Sequence, residues 1–209
     1  MIRSTAGPPS NNRAAVFAYV AGATGILANA FLIAFYALLA THLQIVDTIL
    51  GSASDLVGSL ATAFMIPVAL ALGWRLPRRR LARLMQASGL TAMALLSVSG
   101  PLLVLGVVPF NVDTPVSVVA WMVVCLWLLL INRWLHLSGA LPAGVARFGE
   151  VVGGGPLVGG VVVGLAFLLL PLMSWVQLIF FGVGGLPGFI GWLGIPVWFV
   201  LLGQHLMVS

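Results

Sequence analysis

Four ionisable side chains between positions 133 and 150 are the first candidates for chemistry. They are Arg133, His136, Arg147 and Glu150. A histidine transfers protons near neutral pH, and a neighbouring carboxylate can orient the imidazole or accept its proton. The pattern favours interfacial anchoring of two helix ends, with Trp127 and Trp134 as interfacial residues and Glu150 able to pair with Arg133 or Arg147. The alternative is a chemical site built from the same four residues.

A second set of polar side chains interrupts long apolar stretches. It consists of Asn29, Asp55, Ser59 and Thr62. An amide buried in a membrane without a hydrogen-bond partner costs several kcal/mol. Asn29 therefore needs a partner, which is either a backbone carbonyl or a hydroxyl such as Ser97 or Ser99. The alternative is a ligand in a cavity that Asn29 lines.

Asp55 has two interpretations. Ser52 stands three residues before it, and a serine followed three residues later by an acid, at the start of an apolar run, is a capping-box pattern. The positive end of the helix dipole would also stabilise the carboxylate there. The alternative is a polar vestibule that starts at Asp55 and continues through Ser59 and Thr62, which lie one helical turn apart.

The stretch GEVVGGGPLVGGVVVG, residues 149–164, is rich in glycine but does not bind phosphate by a known motif. The chain has no lysine for a Walker loop, and Val158 stands where a dinucleotide fingerprint requires glycine. At 100° per residue, four of the glycines fall within about 60° of arc on a helix. They are Gly149, Gly153, Gly160 and Gly164. Such a face lets membrane helices approach closely, so the pattern predicts a helix-packing surface.

The first apolar run carries a similar pattern. Gly22, Gly25, Asn29 and Tyr36 fall on one helical face. We expect this face to point into the protein.

Several classes of protein are excluded by the residues that are missing. Without lysine the chain cannot form a retinal Schiff base, and it has no H-E-x-x-H zinc motif. His42, His136 and His205 fall near the ends of apolar runs, whereas a membrane haem needs histidines within facing helices. No acid falls near the middle of a predicted helix, as a proton relay requires. We expect no catalytic residue, metal or cofactor; a chlorophyll-like pigment on an interfacial histidine stays open.

Composition places these residues in a membrane. Of the 209 residues, 61% are hydrophobic and 6% are charged, and the mean hydropathy is +1.18, whereas soluble domains carry roughly 25% charged residues. The net charge of +5 comes from nine arginines, which lie mostly between apolar runs and act there as topology signals. The chain is predicted to be an integral membrane protein without a nucleic-acid partner. The absence of lysine indicates GC-rich coding and a bacterial source.

Apolar runs of about 20 residues, the length that spans a bilayer, occur six times. They cover residues 14–40, 53–74, 84–108, 115–132, 149–173 and 187–207. We predict an all-α fold, in which residues 14–209 form a single domain with a bundle of six transmembrane helices. Residues 1–13 are predicted to be a flexible tail. Residues 174–186 have three interpretations: a segment along the surface, a re-entrant segment, or part of a helix.

The arginines segregate to one side of this bundle. Two precede the first helix, five lie between the second and third helices, and two lie between the fourth and fifth. The opposite connections hold Asp47, Asp55 and Asp113 and no arginine. By the positive-inside rule, both termini are predicted to lie in the cytoplasm.

Two segments carry a resemblance to known sequences. SGALPAGVARFGEVVGG, residues 138–154, and GWLGIPVWFVLLG, residues 191–203, look like parts of a broad set of uncharacterised bacterial six-helix membrane proteins, known only as domains of unknown function. The resemblance implies the fold and a place in the bacterial cytoplasmic membrane. It implies no activity, ligand or catalytic residue.

These observations lead to three hypotheses for a multi-pass protein of the bacterial cytoplasmic membrane. The glycine face favours a non-enzymatic structural or accessory subunit, which would direct that face outward to other membrane proteins or to a second copy within the lipid. The alternative is a small transporter or a protein that binds a lipid or small molecule, with a polar cavity that reaches Asn29 and Asp55. The third is an interfacial enzyme that uses Arg133 and brings His136 within hydrogen-bond reach of Glu150.

Overall fold

The fold is all-helical. The computed structural model describes the backbone of residues 11–39, 44–77, 79–169 and 174–208, and the surroundings of the side chains at 11–38, 48–77, 79–162 and 186–208. Helices make up 91% of the structure, and the described residues contain no strand. The helices are α1 (Asn11–Leu39), α2 (Gln44–Gly73), α3 (Arg80–Val104), α4 (Phe110–Leu137), α5 (Ala143–Leu169) and α6 (Ser174–Val208).

All six helices contain a segment that is long and apolar enough to cross a membrane, which confirms the predicted six-helix membrane fold. The chain is therefore a multi-pass membrane protein. A helix is the natural element here, because every backbone N–H and C=O group in lipid needs a hydrogen-bond partner within the protein.

The helix boundaries differ from the predicted ones at several ends. α2 begins at Gln44 instead of residue 53, and α4 begins at Phe110 instead of residue 115. α6 begins at Ser174, so the backbone of residues 174–186 is part of a helix. The predictions followed uninterrupted apolar runs and treated polar residues and prolines as boundaries. The structure continues the helices through both, because a proline removes only one hydrogen bond and neighbouring helices can compensate for it.

The earlier start of α2 overturns the capping-box interpretation of Asp55. Ser52 and Asp55 lie in the interior of α2, where the backbone N–H groups already bond within the helix and need no cap. The prediction that Asp55 and Asp113 lie in connections was also wrong, since Asp113 lies in the first turn of α4. The role of both carboxylates must therefore come from what they face.

The helices form a closed ring. Each described helix packs against its neighbours in chain order, and α6 closes the ring against α1. No described helix packs against one across the ring. Such an arrangement leaves a central axis that only side chains can fill.

The ring has two ends. The end that holds the α2–α3 connection with Arg75 is called the arginine end. The opposite end is called the far end. Arg75 Nη2 donates to Asn11 Oδ1 at 2.7 Å, and Gly203 of α6 packs against Ala15 and Tyr19 of α1. The start of α1 and the end of α6 therefore both lie at the arginine end. Its location in the cytoplasm stays a prediction.

The arginine half of the ring is filled by an apolar core. Its largest fully buried members include Met65, Leu72, Met93, Trp127, Leu128, Ile131, Trp198, Phe199 and Leu202. The rings of Trp198 and Phe199 meet edge to face, with centroids 4.9 Å apart. This core closes the centre of the ring over the half of the bundle that it occupies.

A polar bridge crosses this core. Trp127 Nε1 donates to Gln86 Oε1 at 3.0 Å, and Gln86 Nε2 donates to the carbonyl of Ala69 at 2.6 Å. The bridge connects α2, α3 and α4. The prediction that Trp127 is an interfacial residue was wrong, because the side chain is 1% exposed and its indole N–H is used inside the bundle.

Candidate ligand cavity

A cavity of about 220 Å³ lies in the far half of the ring. Five helices contribute to it, namely α1, α2, α3, α4 and α6, and the described residues of α5 (143–162) are not part of its lining. Its polar lining residues are Asn29, Ser54, Asp55, Ser59, Thr62, Ser99, Asp113 and Ser117. All four residues that the sequence predicted as ligand or cavity candidates are in this set.

Small residues make room for the cavity and bring its walls together. A Cβ on Gly25 of α1 would lie 2.8 Å from Pro196 Cγ of α6. A Cβ on Gly100 of α3 would lie 2.6 Å from the carbonyl oxygen of Asp55 in α2. Such close backbone approach is the usual means of helix packing in lipid. It places polar groups of neighbouring helices around one space.

The hydroxyl groups of α2 donate their protons to helix carbonyls. Ser54 Oγ donates to the carbonyl of Ala28 at 3.2 Å, and Ser59 Oγ donates to that of Leu96 at 3.1 Å. Thr62 Oγ1 donates to the carbonyl of Ser59 at 2.8 Å. A hydroxyl has one proton and two lone pairs. With the protons used, these oxygens present acceptors rather than donors to a molecule in the cavity.

Asp113 belongs to a second polar cluster on the opposite wall. The Ser117 hydroxyl has two acceptors in reach, Asp113 Oδ2 at 3.2 Å and Ser99 Oγ at 3.3 Å. Its single proton can serve only one of them at a time. Ser99 Oγ itself donates to the carbonyl of Leu96 at 3.3 Å. This wall, too, offers more acceptors than donors.

The ionisable residues among the described lining of the cavity are both acids, Asp55 and Asp113. Asp55 is exposed, whereas Asp113 is only 9% exposed. Among the described lining residues there is no arginine or histidine to neutralise either carboxylate.

Asn29 has no hydrogen-bond partner of its own within the part of the chain that the structure describes. Its side chain lines the cavity and is 8% exposed. The predicted hydroxyl partners are engaged elsewhere, since Ser97 donates to the carbonyl of Ala94 and Ser99 to that of Leu96. The expectation that a protein group satisfies Asn29 was therefore wrong. The alternative, that this amide serves a cavity, agrees with its position.

The cavity stops near the middle of the bundle. The lining residues nearest the arginine end are Met65 of α2, Leu96 of α3 and Pro196 of α6. Beyond them, along the same helices, Val68 and Trp198 are completely buried. The space is thus a polar cup in the far half that rests on the apolar core of the arginine half.

Sequence reasoning missed part of this site. Asp113 and Ser117 were not singled out, because the fourth helix was predicted to begin at Pro115. Their spacing of four residues could have identified them, because residues four apart lie on one face of a helix if that helix begins before Asp113. Trp121 and Trp192 also line the cavity, and nothing in their sequence context separates them from ordinary membrane tryptophans.

The predicted cluster at the arginine end is only partly assembled. Arg133 Nη1 lies 3.8 Å from Glu150 Oε2, and the arginine side chain is 62% exposed. His136 and Arg147 make no ion pair or hydrogen bond with Glu150 in the described structure. The described residues also contain no group of three His, Cys, Asp or Glu side chains that could hold a metal ion. An exposed ion pair of this kind contributes at most about 1 kcal/mol to stability.

The glycines of α5 face α4 inside this chain. Gly149 lies against the Asn132 side chain, and a Cβ on Gly153 would lie 2.7 Å from the backbone nitrogen of Leu129. Gly160 lies against Met122. The surroundings of Gly164 lie outside the described residues. Gly149 and Gly153 are therefore occupied by a neighbouring helix of the same protein, whereas Gly160 touches Met122 but stays exposed.

The inward face predicted for the first helix is correct only in part. Gly22 and Gly25 pack against α6, and Asn29 is buried. Tyr36, however, is 64% exposed. The prediction that Tyr36 points into the protein was wrong. Helical spacing shows which residues share a face, but lipid and a neighbouring helix are equally apolar, so spacing does not show which of the two a residue contacts.

A functional assignment for this chain depends on the geometry of the cavity. Comparison of the chain with protein-family models, with curated proteins and with solved structures gives no match.

Proposed function

We propose that this protein binds a small polar molecule in the far-half cavity, as a binding protein or small transporter of the bacterial cytoplasmic membrane. The observation that carries the proposal is the Asn29 amide, which lines the cavity at 8% exposure without a hydrogen-bond partner among the described residues. Because this amide faces the cavity and bonds to no described group, its oxygen and its two N–H donors are available to a polar ligand.

The rest of the cavity supports this proposal. Polar groups inside membrane proteins are rare and usually mark ligand or ion pathways. Here five helices bring eight polar side chains to one space, whereas the core of the other half is mostly apolar. The polar side chains Gln86 and Asn132 in that half donate to helix carbonyls. A purely structural bundle would not require this difference between its two halves.

Two prolines favour transport as the more specific form of the proposal. Pro196 lines the cavity, and Pro67 lies in α2 two residues beyond Met65, the last residue of α2 that lines it. Each proline removes a helix hydrogen bond at the level where the cavity ends, so α2 and α6 can bend there. Movement at these points would expose the cavity to the arginine end, as alternating access requires.

The accessory-subunit hypothesis stays a prediction with less support. It relied on glycine faces directed outward, whereas Gly149 and Gly153 face α4 of the same chain. Native mass spectrometry of the gently extracted protein separates the two ideas. We expect release with a bound small molecule, and stoichiometric release with other subunits would favour the accessory role.

The decisive test of the cavity is its access to water. A cysteine replaces Asn29 in a Cys125→Ala background, because Cys125 is the only cysteine of the chain and is buried. We expect this thiol to react with a neutral, water-soluble methanethiosulfonate in membranes. Leu27→Cys in the same background is the matched control, since Leu27 is 47% exposed and lies on the opposite side of α1.

The two positions separate a polar cavity from a surface that faces lipid. A thiol in lipid does not ionise and reacts slowly, so Leu27→Cys should stay unmodified. If Asn29→Cys also resists the reagent while the protein remains folded, water does not reach the cavity. The proposed function would then fail.

A further inference from the structure

We infer that the ligand of the cavity is a small organic cation that carries an ammonium group. This inference depends on the proposed function, because it names the chemical class of the molecule that the same cavity binds. Its basis is the combination of two carboxylates, an excess of acceptor oxygens, two tryptophans and the unpartnered Asn29 amide around one space.

Charge is the first step of the argument. Asp55 and Asp113 line the cavity, and no basic residue opposes them among the lining residues that the structure describes. Unpaired charges are costly within a membrane protein and are normally balanced by a partner or a ligand. A cation between the two carboxylates would supply the missing charge, whereas an anion would be repelled by both.

The hydrogen-bond donors and acceptors of the lining also favour a positively charged ligand. Three hydroxyls of α2 each donate to a helix carbonyl, those of Ser54, Ser59 and Thr62. Their remaining lone pairs can accept only from a donor, which the ligand would supply. The carboxylates are acceptors as well. An ammonium group has up to three N–H donors and no acceptor, which matches such a lining.

The tryptophans favour an organic cation. Trp121 and Trp192 line the same cavity as the carboxylates. An indole face attracts ammonium groups, and aromatic residues beside carboxylates are the usual means of binding alkylated amines. A tryptophan contributes little to a hydrated inorganic ion.

Size also separates an organic cation from a metal ion. The volume of about 220 Å³ corresponds to roughly seven waters at about 30 Å³ each. A calcium ion needs six to eight oxygens at about 2.3–2.6 Å, and no described group of three acidic, histidine or cysteine side chains converges on a point. The space suits a molecule with an apolar part beside its charged group.

The experiment compares two thiol reagents of opposite charge at Asn29→Cys in the Cys125→Ala background. They are trimethylammonioethyl methanethiosulfonate and sulfonatoethyl methanethiosulfonate. Rates are divided by those at Leu105→Cys, because Leu105 is 75% exposed in the α3–α4 connection at the far end. We expect the cationic reagent to react at least about tenfold faster than the anionic one, a factor that corresponds to about 1.4 kcal/mol.

Neutralising variants assign the effect to the two carboxylates. Asp55→Asn and Asp113→Asn should each reduce the rate ratio severalfold. Glu150→Gln is the matched control, because it removes the same charge at the arginine end, outside the cavity, and should leave the ratio unchanged. Ser54→Cys, a near-isosteric change at another lining position, replaces Asn29→Cys if that variant does not fold.

Each outcome has a distinct meaning. Equal normalised rates, or faster reaction of the anionic reagent, would overturn the cation inference but leave the water-filled cavity and the proposed function in place. A ratio that is insensitive to both aspartate variants would also overturn it. Failure of the neutral and both charged reagents at Asn29→Cys and Ser54→Cys would instead contradict the proposed function itself.

Discussion

Gly153 and Gly154 are adjacent glycines of α5 with very different surroundings, and they allow a sharp test of the packing. A Cβ on Gly153 would lie 2.7 Å from the Leu129 nitrogen and 2.8 Å from the carbonyl oxygen of Cys125, both in the backbone of α4. A Cβ on Gly154 would meet only Leu129 Cδ1, at 3.8 Å, which is ordinary contact. The same substitution by alanine should therefore have opposite effects at the two positions.

The magnitude for Gly153→Ala follows from these distances. Ordinary contact begins at 3.4 Å and the shortest distance is 2.7 Å, so the α4 and α5 backbones must separate by about 0.7 Å, and overpacking of this kind costs about 1–3 kcal/mol. The higher helix propensity of alanine offsets up to about 1 kcal/mol of this cost. We expect Gly153→Ala to lower the free energy of unfolding by about 1–2 kcal/mol. Gly154→Ala gains the propensity without the clash and should raise it by about 0.5–1 kcal/mol.

The assay is thermal unfolding of both variants and the wild type in the same mild detergent. For a chain of 150–250 residues, about 1 kcal/mol shifts the midpoint by about 2–4 °C. Gly153→Ala should melt several degrees lower than Gly154→Ala. Equal midpoints for the two variants would refute the close α4–α5 approach, and so would a lower midpoint for Gly154→Ala.

Three further predictions concern the site, the polar bridge and the orientation. Asn29→Leu should raise the thermal midpoint of the ligand-free protein by about 2–4 °C, because it removes an unpartnered buried amide. The same change should abolish retention of a small molecule in native mass spectrometry. A lower midpoint together with retained ligand would contradict both points. Gln86→Leu should lower the midpoint by a similar amount, since it breaks the bond from Trp127 and a bond to α2. Trp127→Phe should lower it at least as much, because it breaks the same bond and leaves a cavity in the core; a Gln86→Leu protein as stable as the wild type would mean that the bridge contributes nothing. A cysteine at Asn111 should be labelled from outside intact cells and one at Ser138 should not, and the reverse pattern would place the arginine end outside.

Part of the site could be predicted from residue types alone. Asn29, Asp55, Ser59 and Thr62 were candidates because polar groups in apolar runs require a partner, and all four line one cavity. Asp113 was missed, because the prediction started the fourth helix at Pro115. The error has a physical cause: a proline can lie within the first turns of a helix at the cost of a single backbone hydrogen bond.

The glycines show a different limit of sequence reasoning. The arc of Gly149, Gly153 and Gly160 indicated a surface for close helix approach, but not which helix approaches it. Lipid tails and helix surfaces are equally apolar, so the pattern does not distinguish a partner in the same chain from one in another protein. The position of α4 against these glycines is a property of the folded ring.

The sequence by itself determined the class of the protein, its six membrane helices and the arrangement of the arginines at alternate connections. These are local properties, because a bilayer requires each spanning segment to be long, apolar and helical regardless of the others. Only the tertiary structure decided that α1, α2, α3, α4 and α6 enclose a common space in the far half. Asp55 and Asp113 lie on different helices, and their convergence with Asn29 depends on how helices pack at Gly25 and Gly100. A Cβ there would lie 2.8 Å from Pro196 Cγ and 2.6 Å from the carbonyl oxygen of Asp55, and no sequence period encodes which helices meet at these positions.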